Sequence, residues 1–286
     1  MRALLAGLVA AFALAAPALA EPPVWVVKDR DSELVLFGSV HVLPPGLAWK
    51  PASLQAALGK ADDLWFELPV GPEADREISL IAATRGVLPT GQSIFRLLPP
   101  GDAALLIKVA DAYGVDKTTL DRLEPWLAEV TLAAAAYRKA GADTAHGVET
   151  TLSAATPATV QRRALETPAR QLGLIDGSPL REQIASLRQT LQEMDRDPGA
   201  YMQLVRAWMA GDVKGLDREA LAPLRRASPV VFDRLVIQRN ADWTRQLDAR
   251  LKGRGRTVVV VGVGHLVGAQ GLPARLRALG YSVTGP

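Results

Sequence analysis

Two histidines follow glycines at the same spacing, and a third side chain could join them in a reaction. His41 closes a Gly-x-x-His segment that begins at Gly38, and His265 closes another that begins at Gly262. The chain has three histidines in total, so this repetition is notable in so small a set. Glu67 stands in an otherwise apolar stretch. Two imidazoles and one carboxylate form a common set of ligands for zinc or a related divalent ion, with positions left for water.

The elements that must position these side chains are three buried strands. Residues 257–261 are five β-branched residues in a row, which suit a pleated strand and crowd a helix. The apolar run 34–37 precedes the first Gly-x-x-His segment, and the next predicted buried strand, residues 62–69, contains Glu67. In open α/β sheets, ligands bind at the carboxyl ends of the strands. We therefore expect His41, Glu67 and His265 to meet at one edge of a sheet.

Other roles for these residues remain open at the level of sequence. Each of the two histidines could cap its glycine turn and bind a nearby carbonyl, and Glu67 could pair with a buried arginine. Glu149 and Glu166 could be surface carboxylates or helix caps. Arg239 lies on a long helical pattern, where an exposed charge is the usual outcome. His146 lies in a polar loop, where a solvated side chain is expected.

The order of the predicted elements indicates an α/β fold in a single domain over residues 21–286. A central mixed sheet is built from strand–loop–helix units at the two ends of the chain. Between them lies a large, mostly helical insertion, roughly residues 71–256, with a short strand near 159–166. Residues 143–149 are compatible with a strand edge or a loop.

Composition excludes several classes of function. The chain has no cysteine, which rules out thiolate metal ligands and cysteine nucleophiles. The formal net charge is +3, without a basic stripe of the kind that binds nucleic acid, so we expect no nucleic-acid partner. The sequence also lacks a Walker loop, a His-Glu-x-x-His helix and a Gly-x-Ser-x-Gly elbow.

The first twenty residues have the pattern of a secretory signal peptide. Arg2 gives a basic start, residues 4–15 are almost unbroken apolar sequence, and Ala18-Leu19-Ala20 supplies a small-x-small cleavage site. We expect cleavage after Ala20 and a periplasmic or secreted mature protein. No other stretch of the sequence is apolar over the length that a bilayer requires, so no transmembrane segment is expected after cleavage.

Five segments, in the same order along the chain, resemble the TraB/GumN family. They cover nearly all of the predicted mature chain. One segment alone is weak evidence for the family, whereas five in the same order are strong evidence. They are Leu36-Phe37-Gly38-Ser39-Val40-His41, Trp65-Phe66-Glu67-Leu68, Leu165-Glu166-Thr167 followed by Gln171-Leu172, Gln238-Arg239-Asn240-Ala241-Asp242-Trp243, and Val261-Gly262-Val263-Gly264-His265 onward to Gly280-Tyr281.

The resemblance implies a function and a site. The family is grouped with the Tiki-type proteases and, more remotely, with erythromycin esterase-like and haem-binding ChaN-like proteins. This implies an α/β core with paired Gly-x-x-His motifs and, as in the Tiki branch, a metal-dependent hydrolytic site. By that resemblance His41, Glu67 and His265 are metal ligands or their immediate neighbours, and Glu166 and Arg239 complete the site. The sequence departs from the pattern at two positions, with Ser39 in place of threonine and Glu149 in place of an expected aspartate.

These observations lead to two hypotheses of different kinds. In the first, the protein is an exported metal-dependent hydrolase, a Tiki-like peptidase that acts on a peptide or another small substrate. Zinc, manganese or cobalt would activate water, Glu67 or Glu166 would be the general base, and Arg239 would stabilise the oxyanion. In the second, the same crevice binds haem or a saccharide without catalysis. A role as an accessory to envelope polysaccharide export follows from the family name alone.

Overall fold

The computed structural model describes residues 21–286. The predicted signal peptide, residues 1–20, therefore lies outside the described residues. Within residues 21–286, no helix has both the length and the apolar composition needed to cross a bilayer. The described segment folds around one mixed sheet of six strands, with helices packed against it.

The sheet has the strand order β4-β3-β5-β2-β1-β6. Strands β2, β5, β3 and β4 run parallel to one another, whereas β1 is antiparallel to both β2 and β6. The central strand β5 carries the β-branched run, whose buried valines fit between β2 and β3. The strands are β1 (Val24–Lys28), β2 (Ser32–Ser39), β3 (Asp63–Phe66), β4 (Gln161–Ala164), β5 (Gly255–Gly262) and β6 (Ser282–Thr284).

Most of the chain between β3 and β5 is helical. Two π-helical segments, Asp217–Leu221 and Asp233–Gln238, and two 3-10 turns, Thr144–His146 and Val263–His265, interrupt or follow the regular elements. The α-helices are α1 (Ala52–Leu58), α2 (Pro72–Arg85), α3 (Ile94–Leu97), α4 (Pro100–Tyr113), α5 (Lys117–Asp121), α6 (Pro125–Lys139), α7 (Val148–Ala155), α8 (Pro168–Asp176), α9 (Leu180–Arg196), α10 (Ala200–Met209), α11 (Val213–Leu216), α12 (Ala222–Ala227), α13 (Pro229–Phe232), α14 (Arg239–Leu251) and α15 (Leu272–Ala278).

The fold class is confirmed, and one local expectation is wrong. The structure is an α/β fold with a mixed sheet and a helical insertion, and β4 is the short strand within it. Residues 143–149, expected to be a strand edge or a loop, instead form the 3-10 turn and the start of α7. A single bridge from Leu43 to Asp143 and a hydrogen bond from Val148 N to Val40 O (3.3 Å) hold this segment beside β2. These contacts with Val40 and Leu43 therefore stabilise the start of α7 in this segment.

Aromatic packing fixes the helices against the carboxyl end of β2. The rings of Phe37 and Trp49 stack with centroids 5.8 Å apart, and Trp208 of α10 lies 5.7 Å from Trp49. The indole N–H of Trp208 donates to the carbonyl of Gly38 at 2.8 Å. This bond satisfies a buried carbonyl just before the first histidine, so it both binds α10 and fixes the backbone there.

A second hydrophobic cluster stabilises the outer part of the helical insertion. It joins α3, α4, α5, α6 and α9 through fully buried side chains that include Ile94, Leu106, Leu120, Leu132 and Leu187. The main cluster lies instead around the sheet. Helices α6 and α9 are therefore anchored in the second cluster and not in the core around the sheet.

Gly38 permits a close approach that a side chain would block. A Cβ atom at this position would lie 2.7 Å from Val263 Cγ2 and 3.1 Å from Val263 Cα. Since real Cβ contacts are longer than this, the turn after β5 packs directly on the backbone of β2. The first glycine of each Gly-x-x-His segment is therefore part of the contact between the two segments.

We predict that Gly38→Ala lowers the free energy of unfolding by about 1–3 kcal/mol, because the added methyl overpacks the contact with Val263. Urea denaturation followed by circular dichroism measures this change. Val263→Ala in the same chain should restore part of the loss. Gly101→Ala on α4 is the matched control, since no heavy atom lies within 4 Å of its Cβ position. Equal stability of Gly38→Ala and Gly101→Ala would contradict the prediction.

Candidate functional site

The two Gly-x-x-His segments leave the same edge of the sheet on neighbouring strands. In the parallel register of β2 and β5, Ser39 lies opposite Gly262. His41 follows β2 with a side chain that is 61% exposed, whereas the side chain of His265 is 8% exposed in the 3-10 turn after β5. The sequence prediction that both histidines stand at one sheet edge agrees with this placement.

Glu67 directly follows β3 and lies beside both histidine segments. Its Oε1 accepts the backbone N–H of Gly262 at 2.6 Å and is 3.8 Å from His265 Nε2. Its Oε2 accepts from Arg239 Nη2 at 2.7 Å and from Gln171 Nε2 at 3.1 Å. The sequence left two roles open for Glu67, an ion pair with a buried arginine and a place beside the two histidines. In the structure Glu67 has both.

Arg239 is the buried cation at the centre of the site. It is 6% exposed and lies at the first position of α14, immediately after a π-helical segment. Its Nε and Nη2 donate to Glu166 Oε1 at 2.9 and 2.6 Å, and Nη2 also donates to Glu67. Its Nη1 donates to the carbonyl of Leu235 at 3.1 Å and to His265 Nε2 at 2.9 Å. All N–H groups of the guanidinium are thus engaged.

The hydrogen-bond network determines the tautomer of His265. Asn240 Nδ2 donates to the carbonyls of Gln270 at 2.8 Å and His265 at 3.3 Å, so Asn240 Oδ1 is free to accept. This oxygen is 2.7 Å from His265 Nδ1, which must carry the proton. The lone pair of Nε2 then points towards Arg239. Burial lowers the pKa of His265 to about 3, which keeps the ring neutral.

The electrostatics of Glu67 and Glu166 differ although both contact Arg239. Burial alone would raise the pKa of Glu67, but His265 when protonated, the guanidinium of Arg239 and the N–H of Gly262 lower it. Because His265 is neutral, the charges of Arg239 and His41 keep Glu67 ionised. Burial raises the pKa of Glu166, and its Oε2 is buried without a hydrogen-bond partner among the described residues.

His41 is oriented by a carboxylate that comes from the helical insertion. Its Nδ1 lies 2.7 Å from Glu149 Oε1, in the first turn of α7. The charge of Glu149 raises the pKa of His41 above its usual value, although water reaches this pair because the imidazole is exposed. With Nδ1 bound to Glu149, the other nitrogen, Nε2, faces the rest of the site.

Gly262 leaves open the space between His41 and Glu67. A Cβ atom on Gly262 would lie 3.1 Å from Glu67 Oε1 and 3.4 Å from His41 Nε2. The missing side chain therefore leaves a small gap, bounded by one carboxylate oxygen and one imidazole nitrogen. These are the two atom types that a divalent ion such as zinc accepts.

The donor chemistry fits a metal ion, but Arg239 occupies one of the donors. Both imidazoles are anchored at Nδ1 by an oxygen, which is the usual arrangement around metal-bound histidine. Within residues 21–286, however, no three His, Asp or Glu side chains already form a cluster that could hold an ion. His41 Nε2 and Glu67 Oε1 face the gap, whereas His265 Nε2 accepts from Arg239. Metal binding by all three would require His265 to release Arg239.

A cavity of about 330 Å³ opens in front of these groups. His41, Glu67, Arg239 and His265 line one side of it. Helices of the insertion supply the opposite side, largely with apolar side chains such as Leu221 and Leu235. The pocket is large enough for a substrate group and combines apolar walls with a few convergent polar atoms, as binding sites usually do.

The structure brings together every residue singled out from the sequence except His146. Glu67, Glu166, Arg239 and His265 form one hydrogen-bonded network, and His41 lines the same cavity, whereas His146 is exposed on a separate 3-10 turn. Sequence reasoning did not place three further groups in the site. They are Glu149, which orients His41, Asn240, which orients His265, and Trp243, whose ring lies 4.5 Å from both the Arg239 guanidinium and the His265 ring. In the sequence, the Arg-Asn-x-x-Trp segment at residues 239–243 pointed to Asn240 and Trp243.

We predict that Arg239→Gln lowers the free energy of unfolding by about 3–5 kcal/mol, because it leaves the Glu67 and Glu166 carboxylates buried without their cation. Urea denaturation is the measurement. Adding Glu166→Gln should recover part of the loss, since one buried carboxylate is then removed. Arg245→Gln on the exposed side of α14 is the matched control and should change stability little. The same small effect for both single variants would contradict this prediction.

Comparison with known proteins places the whole described segment in one family. The model of the TraB/PrgY/gumN family matches residues 23–285. The comparisons with curated proteins and with solved structures gave no match. The match runs from the residue before β1 past the end of β6 and includes every site residue described above. The resemblance found in the five sequence segments is confirmed, and the chain belongs to the TraB/PrgY/gumN family.

Proposed function

We propose that this protein is an exported metal-dependent hydrolase, a peptidase in which His41, Glu67 and His265 hold a zinc, manganese or cobalt ion. One observation carries the proposal. Both imidazoles have Nδ1 held by an oxygen, and the Nε2 atoms of both lie near the same carboxylate, Glu67. A turn-capping histidine needs no such arrangement, whereas metal ligation does.

Glu67 and Arg239 have separate tasks in this reaction. A bound divalent ion lowers the pKa of its water and polarises the scissile carbonyl. Glu67 is the one carboxylate that lines the 330 Å³ cavity in the described chain, so it holds the ion or accepts the proton of the water. Glu166 contacts Arg239 and does not line the cavity, which makes it the group that orients the guanidinium.

Arg239 supplies the donor for the developing oxyanion. Its Nη1–H now reaches the Nε2 lone pair of His265. When that lone pair is given to an ion, the N–H becomes free while Glu67 and Glu166 still hold the rest of the guanidinium. A fixed cationic donor at the wall of a cavity is suited to a tetrahedral intermediate.

The proposed location is the periplasm or beyond. The support is the pattern of residues 1–20, with Arg2, an apolar run and the cleavage site that ends at Ala20. A chain without cysteine is compatible with that compartment, since a core of this size needs no disulfides.

A second candidate is a binding protein that holds haem or a saccharide in the same cavity. The observation that favours it is the complete hydrogen bonding of Arg239, which stabilises the site without any ion. The apolar wall that includes Leu221 and Leu235 would suit a hydrophobic ligand. Metal binding and turnover separate the two candidates.

We predict that the wild-type protein, freed of chelators and dialysed against zinc, manganese or cobalt, retains bound ion, and that the double variant His41→Ala/His265→Ala does not. The loss is expected because both Nε2 donors disappear. Inductively coupled plasma mass spectrometry gives the metal content. His146→Ala is the matched control, since it removes a histidine outside the site. Equal and negligible metal in wild type and double variant would overturn the proposed metal site.

We predict that the wild-type protein cleaves a peptide library only with added manganese, cobalt or zinc, and that Glu67→Gln slows cleavage by a factor of about 100 or more, since a catalytic or ligating carboxylate is lost. Mass spectrometry of the digest measures the rate. Glu73→Gln on the exposed start of α2 is the control, and circular dichroism confirms that each variant is folded. An intact library with every metal would favour the binding candidate.

A further inference from the structure

A second cavity, of about 360 Å³, lies next to the cavity of the site. Tyr137, Leu224 and Leu235 line both cavities. The second cavity lies between α6, α9 and the segment that precedes Arg239. A group bound there could therefore belong to the same molecule that reacts at Glu67.

The walls of this second cavity are mainly apolar, and its charged groups are acidic. Apolar surface comes from residues such as Val130, Ala133 and Val231, in addition to the shared Leu224 and Leu235. Glu129 and Glu182 are the acidic side chains in its lining, and no lysine or arginine of the described chain lines it. A cavity of this kind can accept a long apolar chain that ends in a positive charge.

Glu182 already has a counter-charge, but Glu129 does not. Glu182 Oε2 pairs with Arg234 Nη1 at 3.4 Å. Glu129 Oε1 accepts from the hydroxyls of Thr190 at 2.7 Å and Ser186 at 3.1 Å. Its Oε2 accepts no hydrogen bond from residues 21–286, and no described cation lies within ion-pair distance of it.

A purely structural role does not account for Glu129. The link from α6 to α9 uses Oε1 alone, and a neutral glutamine could make the same two hydrogen bonds. Burial raises the pKa of Glu129, so the fold stabilises its charge poorly. A carboxylate that costs stability and leaves one oxygen unused beside a cavity is a typical ligand-binding group.

Resting on the proposed function, we propose that the second cavity is a substrate subsite for a lysine or arginine side chain, with Glu129 as its counter-charge. The methylene stem of such a side chain lies along Leu224 and Leu235, and its cationic end meets Glu129 Oε2. The reactive bond of the peptide then lies in the first cavity, beside Glu67 and Arg239. Glu129 is accordingly a specificity-determining residue.

Binding of two matched peptides to the full mature chain tests the subsite without requiring turnover. The probes are acetyl-Ala-Ala-Lys-Ala-Ala-amide and the same peptide with norleucine, which keeps the stem and removes the charge. Isothermal titration calorimetry at low salt should show that the lysine peptide binds about tenfold more tightly, through a charge-assisted hydrogen bond. Glu129→Gln should abolish this difference, because it keeps the bonds to Ser186 and Thr190 and loses the charge.

Glu73→Gln is the matched control, since Glu73 is exposed at the start of α2 and does not line the second cavity. It should keep the preference for lysine. Equal affinity of the wild type for both peptides overturns the subsite, and so does a preference that persists in Glu129→Gln. The wild-type comparison decides the matter even if a variant is unstable. A metal-dependent peptidase without lysine preference would refute the subsite alone, whereas lysine-selective binding without cleavage would refute the hydrolase alone.

Discussion

The fold of this protein depends on a guanidinium that is buried at the edge of the sheet. Arg239 joins the residue after β3, the second residue after β4 and the turn after β5 through Glu67, Glu166 and His265. A buried cation is tolerated when its charge is paired and each N–H finds an acceptor, and both conditions are met here. The carboxyl ends of three strands are therefore held in register by one side chain from α14.

The absence of a side chain at Gly262 is the second constraint on the site. The backbone N–H of Gly262 binds Glu67 Oε1, so the strand end itself orients the carboxylate. A Cβ atom would fill the space between that oxygen and His41 Nε2. Glu149 completes the arrangement from the other side by holding His41 Nδ1. The backbone of Gly262 and the Glu149 side chain at the start of α7 therefore place Glu67 Oε1 and His41 Nε2 around one gap.

Sequence alone predicted the parts of the site that follow from strand periodicity. The β-branched run before Gly262 predicted a central strand, and parallel strands bring their carboxyl ends to one edge, so His41, Glu67 and His265 could be placed together. Glu149 could not be placed, because it reaches His41 across 108 residues and through a helix start that the local sequence did not indicate. Spacing also favoured an exposed Arg239, since helical periodicity does not specify which charged residue faces inward and finds buried partners.

The lone pair of His265 Nε2 connects the observed hydrogen-bond network with the proposed metal site. In the structure it accepts from Arg239, and the neutral Nδ1–H tautomer fixed by Asn240 makes that possible. The same lone pair cannot also ligate an ion, so in the proposed site Arg239 and a metal would compete for one atom. Metal binding and the release of an Arg239 donor would then be one event, which would expose a positive charge to the cavity only when an ion is present.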